Sequence, residues 1–205
     1  MPNAAQTAMK PRGVSRRRLS PQARRAQLLQ TAIDVFAQMG IERAGHGDIA
    51  KRAGVSTATV FNYFPTRDAL VNAVLAEIEL IVERMFASIT DLSDDPERRI
   101  LQMAAAYQAM VEEQPAAVQT FLKWGVSFDP EIRPHYLDFQ SRILDRLVGF
   151  LPESADPRTE ARILYGAANM LATMAFDGAD MEILSQYAKR IAQTLARPTL
   201  ARPEG

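Results

Sequence analysis

The stretch GDIAKRAGVSTATVFNYF, residues 47–64, decides the fold of this chain. Residues 48–53 have the apolar spacing of a short helix, and Gly54 can end that helix at no steric cost. Ser56 is a suitable N-cap for a second short helix over residues 57–63. The spacing therefore predicts two short helices joined by a tight turn, which is a helix-turn-helix.

The second short helix has an unusual predicted surface. Val60, Phe61 and Phe64 are expected to point inward, and the outward side chains are then Thr57, Thr59, Asn62 and Tyr63. An uncharged face of hydroxyls, one amide and one phenol fits the DNA major groove, where such groups meet base edges and phosphates. An ordinary helical corner of a bundle is the alternative for a stretch this short.

The charges of the chain are unevenly distributed. Residues 1–67 contain eleven Lys or Arg and three Asp or Glu, a net charge of +8, so the rest of the neutral 205-residue chain carries −8. A basic amino-terminal third on an acidic body indicates a polyanionic partner for that third alone. A basic tail without a partner is the alternative. It would account for Arg16, Arg17 and Arg18, but not for the basic residues that continue to residue 67.

Several classes of protein are disfavoured by the sequence. There is no cysteine, which excludes disulfides and thiolate sites, and His46 and His135 lack the ligand spacing of a metal site. No phosphate-binding glycine loop or hydrolase motif is present, so we predict no catalytic residue, no metal and no cofactor. No apolar run approaches the roughly 20 residues that span a bilayer, and the signal-peptide pattern is missing. We therefore expect a cytoplasmic protein without a membrane partner.

The chain as a whole is predicted to be all-α, with about nine helices and no sheet. Residues 1–19 read as a disordered basic arm, and residues 20–66 as the helix-turn-helix domain. Residues 67–197 are expected to form a helical bundle for ligand binding and dimerisation, and residues 198–205 a tail. Apolar residues recur with a period near 3.6, and proline and capping residues lie mainly at the joints. Besides the two short helices, the predicted segments are residues 21–39, 67–89, 97–113, 115–127, 130–150, 156–176 and 180–196.

The predicted bundle is rich in methionine and aromatic residues. At helical spacing such side chains usually form the core. A bundle rich in them can also enclose a small-molecule pocket, in which a polar group such as Gln140 would orient the ligand. The candidate pocket residues are Val82, Met85, Phe86, Met103, Phe121, Trp124, Tyr136, Gln140 and Met170.

Ionisable residues next to the helix-turn-helix each have two interpretations. His46 is either a solvated or capping side chain or a phosphate or base contact. Arg16, Arg17 and Arg18 are either a solvated run or an arm that enters the minor groove, where arginine is favoured. Arg67 lies at the start of the next helix, where a cation opposes the helix dipole. That conflict favours a role for Arg67 on the DNA backbone.

Residues 45–75, GHGDIAKRAGVSTATVFNYFPTRDALVNAVL, resemble the DNA-binding domain of TetR-family repressors. The common pattern of that family is IA..AGVS..T.Y.YF..K..L behind a first helix that ends in F...G. Within the family, the stretch and the Arg-Leu-Ser-Pro junction at residues 18–21 are most similar to the LuxR/HapR-type quorum-sensing master regulators. The positions that match the family pattern are Phe36, Gly40, Ile49, Ala50, Ala53, Gly54, Val55, Ser56, Thr59, Phe61, Tyr63, Phe64, Arg67 and Leu70.

The resemblance implies an all-helical homodimer that binds a palindromic operator in double-stranded DNA, because one reading helix per subunit needs a twofold axis. The residues that it implies for DNA contact are Arg16, Arg17, Arg18, His46, Gly47, Ser56, Thr57, Ala58, Thr59, Asn62, Tyr63 and Arg67. The last two helices would pair with their copies in a four-helix bundle, and their apolar stripes support this. The candidate interface residues are Ile163, Leu164, Ala167, Leu171, Ile183, Leu184, Tyr187 and Ile191.

Three functional hypotheses follow. The favoured one is a dimeric, sequence-specific DNA-binding transcriptional regulator, in the first instance a repressor, whose body binds a small apolar effector. The second is a helical ligand carrier or enzyme with an incidental basic end, which would show no preference among DNA sequences. The third is a global regulator without a ligand, in which the body only dimerises.

Overall fold

The fold is known from a computed structural model that describes residues 19–197. In this range the chain forms nine α-helices and no strand, which confirms the predicted all-α class. The helices are α1 (Pro21–Met39), α2 (His46–Ala53), α3 (Thr57–Tyr63), α4 (Arg67–Ala87), α5 (Pro96–Glu113), α6 (Pro115–Gly125), α7 (Arg133–Val148), α8 (Pro157–Phe176) and α9 (Met181–Leu195).

Capping side chains set several of the helix starts where the sequence predicts them. The Ser20 hydroxyl accepts a hydrogen bond from the Ala23 N–H at 3.1 Å, with proline directly after the cap. Thr66 and Asp156 cap α4 and α8 by the same side-chain-to-backbone bond. Each bond satisfies one of the N–H groups that a helix start leaves without a partner. Hydrogen bonds from the Thr159 hydroxyl and the Thr159 backbone N–H also lower the pKa of the Asp156 carboxyl.

The predicted bounds of α7 are wrong at both ends. The helix begins at Arg133, not at residue 130, and ends at Val148. Pro134 gives the reason for the late start, because proline is tolerated only in the first turn of a helix. The preceding residues form a turn in which the Asp129 carboxylate accepts the Glu131 N–H at 2.9 Å. Similarly, α4 and α6 each end two residues before their predicted ends.

The first three helices share one apolar core, which the first turns of α4 complete. Phe36 of α1, Ile49 of α2, Val60 of α3 and Leu70 of α4 are all fully buried in it, and Phe64 packs beside them. Side chains from four consecutive helices thus fix the positions of α2 and α3, which are too short to be stable alone.

The remaining helices enclose an aromatic cluster. Trp124 is fully buried, and its ring stacks on Phe139 with centroids 5.9 Å apart and 18° between the planes. Phe121 contacts Tyr136, Phe139 and Tyr165 in tilted or edge-on geometry. These rings join α6, α7 and α8 into one packed unit. No helix within residues 19–197 is long and apolar enough to cross a membrane.

Helix α6 connects this unit to the amino-terminal helices through polar contacts with α1. The Thr120 hydroxyl is buried and donates to the Ile33 carbonyl at 3.3 Å, as well as to a carbonyl of its own helix. The Lys123 ammonium donates to the Ala37 carbonyl near the end of α1. The last turn of α1, which precedes the helix-turn-helix, is therefore hydrogen-bonded to the body.

We expect Gly40→Ala to destabilise the protein by about 1–3 kcal/mol, since Gly40 ends α1 in a backbone region that only glycine populates readily. Its φ is 85° and its ψ is 155°. Chemical denaturation checks the change. Gly47→Ala is the matched control, because φ is not positive there and an added Cβ would meet no atom within 4 Å. Equal stability of the two variants would contradict the expectation.

Candidate nucleic-acid interface

The outer surface of α3 is the centre of the candidate interface. Thr57, Ala58 and Asn62 are exposed, and no residue of α3 carries a charge. Thr59 and Tyr63, predicted to face outward, are half-buried. The prediction that Phe61 points inward is wrong, because its side chain is 45% exposed. Consecutive helical residues lie about 100° apart, so Val60 and Phe64 take the core side and Phe61 joins the outer face.

The turn between α2 and α3 is built as the sequence predicts. Gly54 takes the left-handed conformation with φ of 65°, and the Val55 N–H closes the helix end on the Ala50 carbonyl at 3.0 Å. The Ser56 hydroxyl caps α3 by accepting the Thr59 N–H at 3.2 Å, and the two hydroxyls also bond to each other at 2.9 Å. Both hydroxyls thus serve the fold at this turn, and their contact with DNA stays a prediction.

The structure corrects the interpretation of His46 as a solvated side chain, and its contact with DNA stays a prediction. The imidazole is only 7% exposed. Its Nε2 lies 2.7 Å from the Phe64 carbonyl oxygen, and since a carbonyl only accepts, Nε2 carries the proton in this bond. The ring also stacks on Phe61, with centroids 4.0 Å apart and 7° between the planes. We call these two contacts the His46 latch. They join the first residue of α2 to the far end of α3.

Arg67 makes a structural contact as well. Its Nη2 donates to the Ile41 and Glu42 carbonyls at 2.7 and 2.8 Å. These two hydrogen bonds hold the loop between α1 and α2 against the start of α4. The side chain stays exposed, so a phosphate contact by its remaining N–H groups stays a prediction.

Exposed cations lie on the elements that precede α3 in the amino-terminal domain. Arg25, Arg43, Lys51 and Arg52 are exposed, and all ion pairs found in residues 19–197 lie beyond residue 76. This leaves the amino-terminal cations without a carboxylate partner in the described part of the chain. Cations without a carboxylate partner, in the same domain as an uncharged exposed helix face, are suited to attract phosphates. Arg16, Arg17 and Arg18, the predicted minor-groove arm, lie outside the described residues.

Sequence reasoning missed two kinds of contributor to this surface. One is Phe61, whose position 100° from Val60 on the helix is the sequence signal for its exposure. The other is the pair of cations in the last turn of α2, Lys51 and Arg52, which the sequence shows only as part of the basic charge of this domain. Their exposure next to the turn is visible only in the structure, where Arg52 also bonds the Gln38 side chain at 3.0 Å.

The candidate ligand pocket is only partly where the sequence predicts it. Of the candidate residues, Val82, Met85, Phe86, Met103 and Phe121 line one apolar cavity of about 30 Å³. The others do not. Trp124 is packed in the aromatic cluster, and Met170 is 50% exposed on α8. The Gln140 amide donates a hydrogen bond to the Tyr136 hydroxyl at 3.1 Å. The Tyr136 hydroxyl is also hydrogen-bonded to the Tyr165 hydroxyl at 2.6 Å. Burial and this bond to Tyr165 raise the pKa of Tyr136.

The predicted dimer residues divide into two groups. Ile163 of α8 and Ile183 of α9 are exposed, at 51% and 49%. The assignment of four others to the interface is corrected, because they are buried in the core of their own chain: Leu164, Ala167, Leu171 and Leu184. Tyr187 and Ile191 are half-buried. The sequence missed the exposed Met170, which lies on the same face of α8 as Ile163.

The fold and this surface define an all-helical protein with an amino-terminal helix-turn-helix. Residues 28–74 match the family described as bacterial regulatory proteins, tetR family. The chain therefore carries the amino-terminal domain of the tetR family, as the sequence resemblance predicts. The whole fold is similar to that of a TetR-like transcriptional regulator from Rhodococcus sp. RHA1. The TM-score is 0.74 at 19% identity, with 86% of this chain and 97% of that chain covered.

Two curated proteins and one further structure are informative. The chain is 38% identical over 122 residues to the HTH-type transcriptional regulator LuxR of Vibrio harveyi, and the aligned residues make up 60% of each protein. It is 25% identical over 126 residues to the fatty acid metabolism regulator protein of Bacillus subtilis, and the aligned residues make up 61% of each protein. The chain thus spans about three-fifths of the length of these relatives. A structure of the Bacillus subtilis regulator FadR, solved with stearoyl-CoA, has a TM-score of 0.66 at 18% identity over 83% of this chain and 97% of that chain. All these proteins are transcriptional regulators by name, which agrees with the prediction that the chain is not an enzyme.

Proposed function

We propose that this protein is a dimeric, sequence-specific DNA-binding transcriptional regulator whose operator affinity depends on a small apolar ligand. The observation that carries the proposal is the uncharged, exposed face of α3, which shares with exposed cations that lack a carboxylate partner a domain whose residues 28–74 match the tetR family. In this proposal, residues 20–66 bind DNA, and residues 67–197 bind the ligand and form the dimer.

In this proposal α3 lies in the major groove. Thr57 and Asn62 read base edges, and the exposed Phe61 supplies an apolar contact of the kind that a thymine methyl group accepts. Lys51 and Arg52 approach the phosphates on the α2 side, and they position the helix without reading sequence. Arg16, Arg17 and Arg18 enter the adjacent minor groove as an arm.

The dimer is proposed to form through α8 and α9. Ile163, Gly166 and Met170 make an exposed stripe along α8, at the spacing of one helix face. An exposed glycine inside a helix costs roughly 0.5–1 kcal/mol relative to alanine, and an added Cβ at Gly166 would meet no atom of its own chain within 4 Å. A close approach of the partner's α8 would explain why glycine occupies this position.

Helix α6 is proposed to transmit the ligand signal. Phe121 lines the apolar cavity, and the neighbouring Thr120 and Lys123 hold the last turns of α1. A ligand that displaces Phe121 would shift α6 and with it α1, which changes the spacing of the two reading helices in the dimer. Ligand and operator would then favour different states of one equilibrium.

The two curated relatives suggest the biological setting. The resemblance of residues 45–75 to LuxR/HapR-type regulators, together with the similarity to the transcriptional regulator LuxR of Vibrio harveyi, supports a role as a master regulator of the quorum-sensing type. The similarity to a fatty acid metabolism regulator supports an effector with an apolar body. We propose repression as the mode of action, by occupation of an operator that overlaps a promoter.

The test of this proposal is the sequence preference of Asn62→Ala. We expect the variant to lose about 1–3 kcal/mol of discrimination at one base position while it keeps its non-specific affinity, because Asn62 reads a base edge. Selection from a randomised DNA pool measures this. Asn72→Ala is the matched control, since Asn72 is also exposed on a helix but lies on α4. An unchanged binding motif in Asn62→Ala would contradict the assignment.

A further inference from the structure

Tyr107 of α5 separates two small apolar cavities in the bundle. The α4-side cavity is the cavity of about 30 Å³ described above, and the α9-side cavity, of about 20 Å³, lies between α5, α8 and α9. Three residues line both cavities: Met103, Tyr107 and Ala168. Only side chains of α5 and α8 therefore stand between the two spaces.

The Tyr107 hydroxyl is an unsatisfied polar group. The side chain is 5% exposed, and no group in the described part of the chain accepts or donates a hydrogen bond at its hydroxyl. Burial, reinforced by nearby Tyr165, raises the pKa of Tyr107, so the hydroxyl is protonated at neutral pH. A buried hydroxyl without a partner is costly to the fold, so its retention needs an explanation such as a bound group that accepts its hydrogen bond. The neighbouring Tyr165 hydroxyl is bonded to Tyr136 instead.

The cavity walls restrict what could meet this hydroxyl. Apart from tyrosine hydroxyls and the Asn169 amide, the side chains that line the two cavities are apolar, and none is Lys, Arg, His, Asp or Glu. An ionic group buried there would lack a counter-charge, which is far more costly than burying an uncharged polar group. Met103 between the two cavities is unbranched and adaptable, so it can move to join them.

We propose that the Tyr107 hydroxyl donates a hydrogen bond to an uncharged, elongated apolar ligand with one oxygen acceptor, and that this ligand occupies both cavities once Met103 and neighbouring side chains have moved to join and enlarge them. The inference rests on the proposed ligand-dependent function and narrows its effector class. The proposal excludes fatty acid carboxylates and any other ligand that would place a charged group inside the bundle. The ligand's acceptor would lie at Tyr107, with apolar arms on either side against Phe121 and towards Tyr187.

The first test needs no ligand. Tyr107→Phe removes only the unsatisfied hydroxyl and should raise the thermal unfolding midpoint by about 2–4 °C. Tyr165→Phe is the matched control, and it should lower the midpoint, because that hydroxyl is bonded to Tyr136. A lower midpoint in Tyr107→Phe would show that its hydroxyl has a structural partner, such as a buried water, and would overturn the proposal.

The second test uses three probes with the same carbon chain: 2-octanone, octane and octanoate. Titration calorimetry at neutral pH should show that 2-octanone binds the wild-type protein more tightly than either of the others. Tyr107→Phe should weaken 2-octanone binding by about fivefold or more and leave octane binding unchanged, because it removes one hydrogen bond. Tighter binding of octanoate, no binding of 2-octanone, or a ketone affinity insensitive to Tyr107→Phe would each overturn the proposal.

Operator binding by the same proteins separates this inference from the proposed function. If the wild-type protein selects a DNA sequence but shows no Tyr107-dependent ketone binding, the regulator stands and the ligand class is wrong. If the wild-type protein selects no sequence, the proposed function itself fails, whatever the probes do.

Discussion

The double variant Ile163→Asp/Met170→Asp should be monomeric and should bind operator DNA about 10²–10⁴ times more weakly than the wild type. Each side chain is about half exposed on α8, so the monomer can solvate the new carboxylates without unfolding. In a dimer the same carboxylates would be buried against their copies, which is costly. Loss of the dimer removes the second half-site contact, and with it the gain from bivalent binding. Sedimentation velocity and operator titration at one fixed salt concentration measure the two effects.

A matched control uses two leucines elsewhere on the surface. Leu80 of α4 and Leu92 in the following loop are exposed to a similar extent, at 52% and 46%. Leu80→Asp/Leu92→Asp adds the same charge and removes a similar apolar area, and we expect it to remain dimeric with wild-type operator affinity. A dimeric Ile163→Asp/Met170→Asp protein, or monomers in both variants, would show that the stripe on α8 is not the dimer interface.

His46→Ala should destabilise the protein by about 2–4 kcal/mol, because it leaves the Phe64 carbonyl without its donor and opens space beside Phe61. Operator affinity should fall as well, since the His46 latch holds the end of α3 in position. Urea denaturation gives the change in the free energy of unfolding, and fluorescence anisotropy with labelled operator gives the change in affinity.

His135→Ala is the control for this variant, because His135 is exposed on α7 and should tolerate the change within about 0.5 kcal/mol. The two effects of His46→Ala are expected together. A variant with wild-type stability and weakened operator binding would show that His46 contacts DNA directly, as the sequence resemblance implies, and that the latch is not its main role.

The helix starts and the turn could be predicted because they depend on local chemistry. Ser20, Thr66 and Asp156 each satisfy backbone groups within three residues of themselves. Gly54 is required by the left-handed backbone at its own position. Such features need no knowledge of the tertiary fold, and the sequence displays them fully.

The roles of His46 and of the α8 apolar residues could not be predicted in this way. The His46 bond to the Phe64 carbonyl joins residues 18 positions apart, so it exists only once α2 and α3 have packed. Ile163 and Leu164 are adjacent and equally apolar in the sequence. The core takes Leu164 and leaves Ile163 exposed, because α8 packs on its own chain with one side only. Hydrophobic periodicity marks both residues as buried and does not say by which chain.

The most direct test of the account is selection of bound sequences by the wild-type protein from a random double-stranded DNA pool at roughly 0.15 M salt, where distant charges are largely screened. We predict enrichment of one palindrome whose half-sites are separated by about one helical turn of DNA or a multiple of it, as a twofold dimer requires. A pool without any enriched sequence, and an affinity that depends only on the salt concentration, would contradict the account. The binding would then be explained by charge attraction alone.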